Sequence, residues 1–200
     1  MATIINEIIP MQGFEFVALQ IQTILNDELL NQKILQDFDS NFEVFLERQE
    51  AYDNSEDVMI NVSLNGINYS ETTQKDSQGS TSYFIDVYTP GVESDSQTGN
   101  EDSRKKMHLF IGMIRYILSS TKYQSLGFPI GLIGGKYVEN IQFLDNYGNQ
   151  DASFIRFGRI TFSVRIQENQ ESWTGITITG NDTTIKLDTT DEGFKLTKNN

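Results

Sequence analysis

Apolar and polar residues alternate with two different periods along this chain. Phe14, Val17, Ala18, Ile21 and Leu25 recur at helical spacing, and Leu29 or Leu30, Ile34 and Phe38 continue the stripe. Glu15, Gln20, Gln22, Asn26, Asp27 and Gln32 fill the other side, so the pattern predicts an amphipathic helix from about Glu15 to Phe38. A second helix is predicted from about Asp102 to Thr121. There Met107, Phe110, Ile111, Ile114, Ile117 and Leu118 form a full apolar stripe, and Asp102 or Ser103 can cap its start.

The period-two segments predict strands. Phe42 to Leu46 is a short one. Val58, Ile60, Val62 and Leu64 alternate with Met59, Asn61, Ser63 and Asn65, and Asn65-Gly66 then suits a two-residue hairpin returning through Ile67 and Tyr69. Ser82 to Thr89, Val138 to Leu144 and Phe154 to Ile166 follow, and Gly180-Asn181-Asp182 is expected to join Gly175–Thr179 to Thr184–Asp188. Glu47 to Asp57, Glu71 to Thr81 and Val92 to Glu101 are polar and read as loops, and the last dozen residues as a frayed tail. Strands do not alternate regularly with helices. The expected fold is therefore α+β: a mostly antiparallel sheet with two amphipathic helices packed on one face, plus a C-terminal β-hairpin. The expected division is a lead-in arm at 1–13, an α+β domain at 14–167, and a hairpin with polar tail at 168–200.

Composition sharpens this picture. The 200 residues include 13 Phe and 8 Tyr, an aromatic content that argues for a packed core. The net charge is −13 and unevenly spread: residues 1–100 hold 17 acids and 3 bases, residues 101–200 hold 11 acids and 12 bases. Such acidity disfavours a nucleic-acid or anionic-membrane surface overall. An acidic half and a balanced half in one chain either help copies associate head to tail or carry no meaning for assembly. With no cysteine, disulfides, thiolate metal sites and a cysteine nucleophile are excluded. The apolar stretches are too short and broken to span a membrane. Met1 to Pro10 does not read as a secretory signal, so the default location is cytoplasmic.

Candidate chemistry is sparse. His108, the single histidine, lies beside an apolar stripe with no Ser or carboxylate partner at a useful spacing, and reads as structural or surface. One histidine and no cysteine make a zinc site improbable. Gly131-Leu132-Ile133-Gly134-Gly135-Lys136 resembles a phosphate loop, but Ile130 and Tyr137 occupy positions that the loop reserves for Gly and for Ser or Thr, so it reads as a flexible connection. Asp86, between Ile85 and Val87, is the carboxylate a metal-dependent hydrolase would use; the simpler reading pairs it with a helix Arg or Lys, or leaves it at a sheet edge. Trp173, in a polar run, reads as a contact residue or as packing over the sheet edge.

From Tyr83-Phe84-Ile85-Asp86-Val87-Tyr88, through the helix Met107–Leu118, to Val138–Leu144 and Ile155–Ile166, the chain resembles phage tail terminator and tail-completion proteins over residues 14–167. The resemblance implies a virion protein of tail and neck, assembled in the host cytoplasm. It implies a homo-oligomeric ring, a hexamer by analogy, that caps the tail tube, joins it to the neck and meets other tail or neck proteins. DNA would only pass through the lumen; no membrane, cofactor, metal or catalytic residue is implied. Candidate interface residues are Arg104, Lys105, Lys106, Arg115 and Trp173, with the loops Glu71–Thr81 and Val92–Glu101. The alternatives are another neck or tail assembly protein (an adaptor, or a tube or baseplate subunit) and, less favoured, a small metal-dependent hydrolase.

Overall fold

A computed structural model describes residues 8–9, 11–50, 52, 57–72, 76–94, 98–145, 154–169, 180–186 and 193–199. The chain divides into two compact units, Met1–Gln170 and Glu171–Asn200. The first holds helix α1 (Gly13–Gln36), strands β1 (Phe42–Leu46), β2 (Val58–Thr72) and β3 (Asp76–Pro90), helix α2 (Gly99–Ser119), a 3-10 turn at Thr121–Tyr123, and strands β4 (Ile133–Asp145) and β5 (Ile155–Asn169). They form one five-stranded sheet in the order β1-β2-β3-β5-β4, with β1 parallel to β2 and every other neighbour antiparallel. The expected α+β class holds, with a mixed sheet.

The helices share a core with one face of that sheet. Val17, Ala18, Ile21, Ile24, Leu25 and Leu29 of α1 are buried, and so is the whole predicted stripe of α2. They meet Ile60, Val62, Tyr83, Ile85, Val87, Ile160, Phe162 and Val164. The α1 stripe ends sooner than its spacing suggests. Ile34 is 80% exposed, because five positions beyond Leu29 rotate it off the buried face. Asp37 then adopts the left-handed conformation that ends the helix (φ 51°), and Phe38 turns back to pack edge-on against Phe110. Helix α2 begins earlier than expected. Its cap is Thr98, whose hydroxyl accepts from the Glu101 N–H at 3.3 Å, not Asp102 or Ser103. Gly99 can start the helix because a Cβ there would come within 2.2 Å of the Phe154 ring.

The Asn65-Gly66 hairpin is not formed. Leu64 pairs with Tyr83 and Gly66 with Ser82, so Asn65 is the extra residue of a bulge within a strand that continues to Thr72. The expected loop Glu71–Thr81 is therefore the end of β2 and the start of β3, apart from residues 73–75, which lie outside the described residues. The local turn signal lost to tertiary pairing: residues 76–81 pair with 164–169 of β5, satisfying a backbone that a short hairpin would leave unpaired. Of Val92–Glu101, the last three residues form the first turn of α2 and 95–97 lie outside the described residues. The Gly-rich connection also tightens: Ile133 to Lys136 open β4, with a bulge at Gly134.

In the second unit, β6 (Gly180–Lys186) pairs antiparallel with β7 (Gly193–Asn199). Gly180-Asn181-Asp182, expected as the turn, stand in β6, and the expected frayed tail contains β7. The expected strand 175–179 lies outside the described residues.

Close packing of α2 on the sheet depends on Gly158, where a Cβ would lie 2.8 Å from Met107 Sδ and 3.2 Å from Ile111 Cδ1. Gly158→Val adds a residue favoured in strands, yet it is expected to destabilise by about 2 kcal/mol in chemical denaturation because it overpacks that contact.

Candidate functional site

Three surfaces carry polar chemistry. The first is the sheet face turned away from the helices. Asp86 on β3 stands directly across from Arg159 on β5, and the guanidinium grips both carboxylate oxygens, Nε to Oδ1 at 2.7 Å and Nη2 to Oδ2 at 2.8 Å. β3 is the central strand, so the partner is a strand arginine and the position is not an edge. Arg159 also lies over the Phe84 ring at 4.1 Å, and Tyr88 packs between Phe157 and Tyr52. The Asp86 hydrogen bonds push the Arg159 pKa up, and burial, followed by the Asp86 charge, pushes the Tyr88 phenol up. Arg48 and Tyr52, from the β1–β2 connection, lie against this face. Asn61 pins that connection, accepting from Arg48 N–H at 2.9 Å and donating to Arg48 C=O at 3.0 Å. The Asp86 carboxylate thus faces a saturated ion pair, whereas a metal-dependent hydrolase needs a carboxylate open to a cation.

The second surface is a groove of about 590 Å³ between the outer sides of α1 and α2, lined by Glu28, Gln32, His108, Tyr116, Lys122 and Tyr123 among others. Glu28 accepts from Lys122 Nζ at 2.5 Å and from the Tyr123 hydroxyl. Those bonds hold its carboxyl below the ordinary 4.5. Burial, and then the bond to Glu28, raise the Tyr123 phenol. The cluster ties the 3-10 turn to α1. His108 is exposed, with its ring edge-on to Phe143 of β4 at 5.5 Å.

The third surface is the pair of sheet edges. Asp37, Asp39, Glu43, Glu47 and Glu50, all exposed, gather around edge strand β1. At the opposite edge, α2 runs beside β4 and exposes Arg104, Lys105, His108 and Arg115, with Arg115 and Lys136 lining a second groove against Val138–Ile141. Lys136 reaches inward and donates to the carbonyls of Leu118 and, at 3.1 Å, Ser120. It supplies the cation that the last turn of α2 lacks, and burial lowers its pKa. Lys106 is set apart from Arg104 and Lys105: it is half-buried and bonded to Asp102 at 2.7 Å. Burial opposes the Asp102 charge, but the bonds from Lys106 and the Val92 N–H outweigh it and leave that carboxyl lowered. Trp173 lies outside the described residues.

The structure thus brings Arg104 and Arg115 to one flank, leaves Lys105 on the outer side of α2 and takes Lys106 out of it. Sequence reasoning places their acidic counterpart only in the first half of the chain, not at the β1 edge. The excess of acids before residue 100 was its only signal, and strand order made it an edge. Among the described residues no three His, Cys, Asp or Glu side chains are grouped to hold a metal ion, and no helix is long and apolar enough to cross a membrane.

Arg159→Met is expected to cost about 3 kcal/mol in thermal denaturation, because it strands the Asp86 charge in a largely buried site. The double variant Asp86→Leu, Arg159→Met should lose clearly less. Glu28 contributes stability that is present above its ordinary pKa and lost as pH falls through its lowered folded value. The stability advantage of wild type over Glu28→Gln is therefore expected to hold at pH 6 and to shrink progressively as pH falls below 4.5 in urea titrations, the direction that follows from that lowered pKa. No protein-family model and no curated protein matches this chain.

Proposed function

We propose that this chain is a structural subunit of a phage tail, a terminator-like protein whose copies join head to tail into a ring that caps the tail tube and connects it to the neck. The observation that carries the reading is the opposite charge of the two sheet edges. A ring needs a heterologous interface, in which one surface of each subunit meets a different surface of the next. The β1 edge with Asp37, Asp39, Glu43, Glu47 and Glu50 is acidic, and the α2–β4 edge with Arg104 and Arg115 is basic. Two such edges on one subunit attract in a directional sense and steer copies into one orientation. The remaining acidity would repel phosphates from a lumen and let DNA pass without sticking. The C-terminal hairpin is assigned the role of an additional interface arm, and the assembled ring a place in the virion at the junction of tail and neck.

A charge-swap series tests this reading. Asp39→Lys with Glu43→Lys is expected to shift the association midpoint at least tenfold to higher concentration by sedimentation. Arg104→Glu with Arg115→Glu should do the same. An equimolar mixture of the two double variants should regain association, since each now offers one edge complementary to the other. A mixture that stays as weak as its components would contradict the head-to-tail arrangement. Wild-type association should also weaken as salt rises, since these charges are exposed.

A further inference from the structure

A strand edge without a partner is a template for another strand, and proteins protect such edges with bulges, charges or proline. β4 is protected along only one half. Its first half carries bulges at Gly134 and Glu139, and the charges of Lys136 and Glu139. From Asn140 to Asp145 it runs in unbroken register with β5, has no lysine and no proline, and has no second strand partner among the described residues.

This open half is apolar on the α2 side and carries Asn140, Gln142 and Leu144 on the other. Ile141 and Phe143 point to the α2 side, and Leu144 to the other side beside Phe157. Phe143 is 53% exposed and Leu144 46%. The wall on the α2 side is basic, because Arg104 and Arg115 share one stripe of that helix. The edge therefore suits an extended, β-branched segment with apolar residues toward α2, mixed apolar and polar residues on the other side, and an acidic net charge.

A segment of this character stands at the start of the sequence, largely outside the described residues. Thr3-Ile4-Ile5-Asn6-Glu7-Ile8-Ile9 has isoleucine at alternate positions on each face, one acid and no base, and Pro10 ends it. Residues 1–7 lie outside the described residues, and Ile8 and Ile9 are 95% and 71% exposed. Seven extended residues span about 23 Å, matching the roughly 20 Å of edge from Asn140 to Asp145. Within one chain, the Tyr83 hydroxyl donates to Phe14 C=O at 2.8 Å, and the Tyr83 row crosses the sheet through Phe162 to Val138. The arm of the same copy thus starts nearest the protected half of β4.

We infer that the open edge of β4, Asn140–Asp145, takes residues 3–9 of a second copy as a sixth strand, so that each subunit donates an arm to its neighbour. The inference rests on the head-to-tail reading and names the backbone contact that would lock it. Main-chain hydrogen bonds would supply affinity, and the isoleucines would cover Ile141, Phe143 and Leu144.

The absence of cysteine makes the test direct. Full-length Ile8→Cys is mixed with full-length Leu144→Cys, oxidised, and resolved without reductant, beside a mixture of Ile8→Cys with Tyr137→Cys on the protected half. A cross-linked dimer at least tenfold more abundant in the first mixture than in the second is expected. The native mass of the unmodified protein is measured alongside. An oligomer that gives no preferential cross-link to position 144 would overturn the arm placement and leave the head-to-tail reading standing. A monomer at every concentration would overturn both. A monomeric, concentration-independent cross-link in the Ile8→Cys, Leu144→Cys double variant would place the arm on its own chain and overturn the exchange.

Discussion

Strand β3 is paired on both sides, with β5 along its whole length and with β2 from Ser77 to Tyr88, and the other elements are arranged around that constraint. Fifteen residues in unbroken register with β5 fix which side chains face which way. Tyr83, Ile85 and Val87 go to the helices, while Phe84, Asp86 and Tyr88 go to the other face. The first set completes the core. The second would be an apolar surface with a buried charge if Arg159 did not stand across from Asp86 and Tyr52 did not close over Tyr88. A one-residue slip of β3 would put Asp86 into the core and Ile85 outside.

The same pairing decides what is left at the edges. β1 and β4 are outermost because β3 and β5 occupy the middle, so the acids around β1 and the bases along α2 end up on opposite sides of the sheet. Neither group needs to lie near the other in one subunit, and their separation makes association between copies directional. Gly158 contributes by letting Met107 and Ile111 of α2 pack closely on β5.

Much of the fold is legible in the residues. The α2 stripe from Met107 to Leu118 and the short strand Phe42–Leu46 follow directly from periodicity. The strands around Ile85 and Ile160 do so too, because their side chains alternate between a core and a second packed face. What could not be read is whatever depends on partners far along the chain. Asn65-Gly66 carries a strong local turn signal, yet β5 offers pairing to residues 76–81 that only the assembled sheet reveals. Asp86 looked like a charge in search of a helix partner, because its true partner lies 73 positions away on another strand. The basic residues of α2 could be named from sequence, but not their acidic counterpart, since strand order and not spacing places Asp39 and Glu43 at the opposite edge. Lys106 was grouped with them because its bond to Asp102, four positions earlier, is a matter of side-chain geometry.

The central claim is that copies of this chain associate through unlike edges. Light scattering of the purified protein, across concentration and with isolated tail tubes added, measures it most directly. The account predicts one discrete ring-sized mass, formed either at high protein concentration or when tubes are supplied. A protein that remains monomeric throughout and does not bind tubes would contradict it.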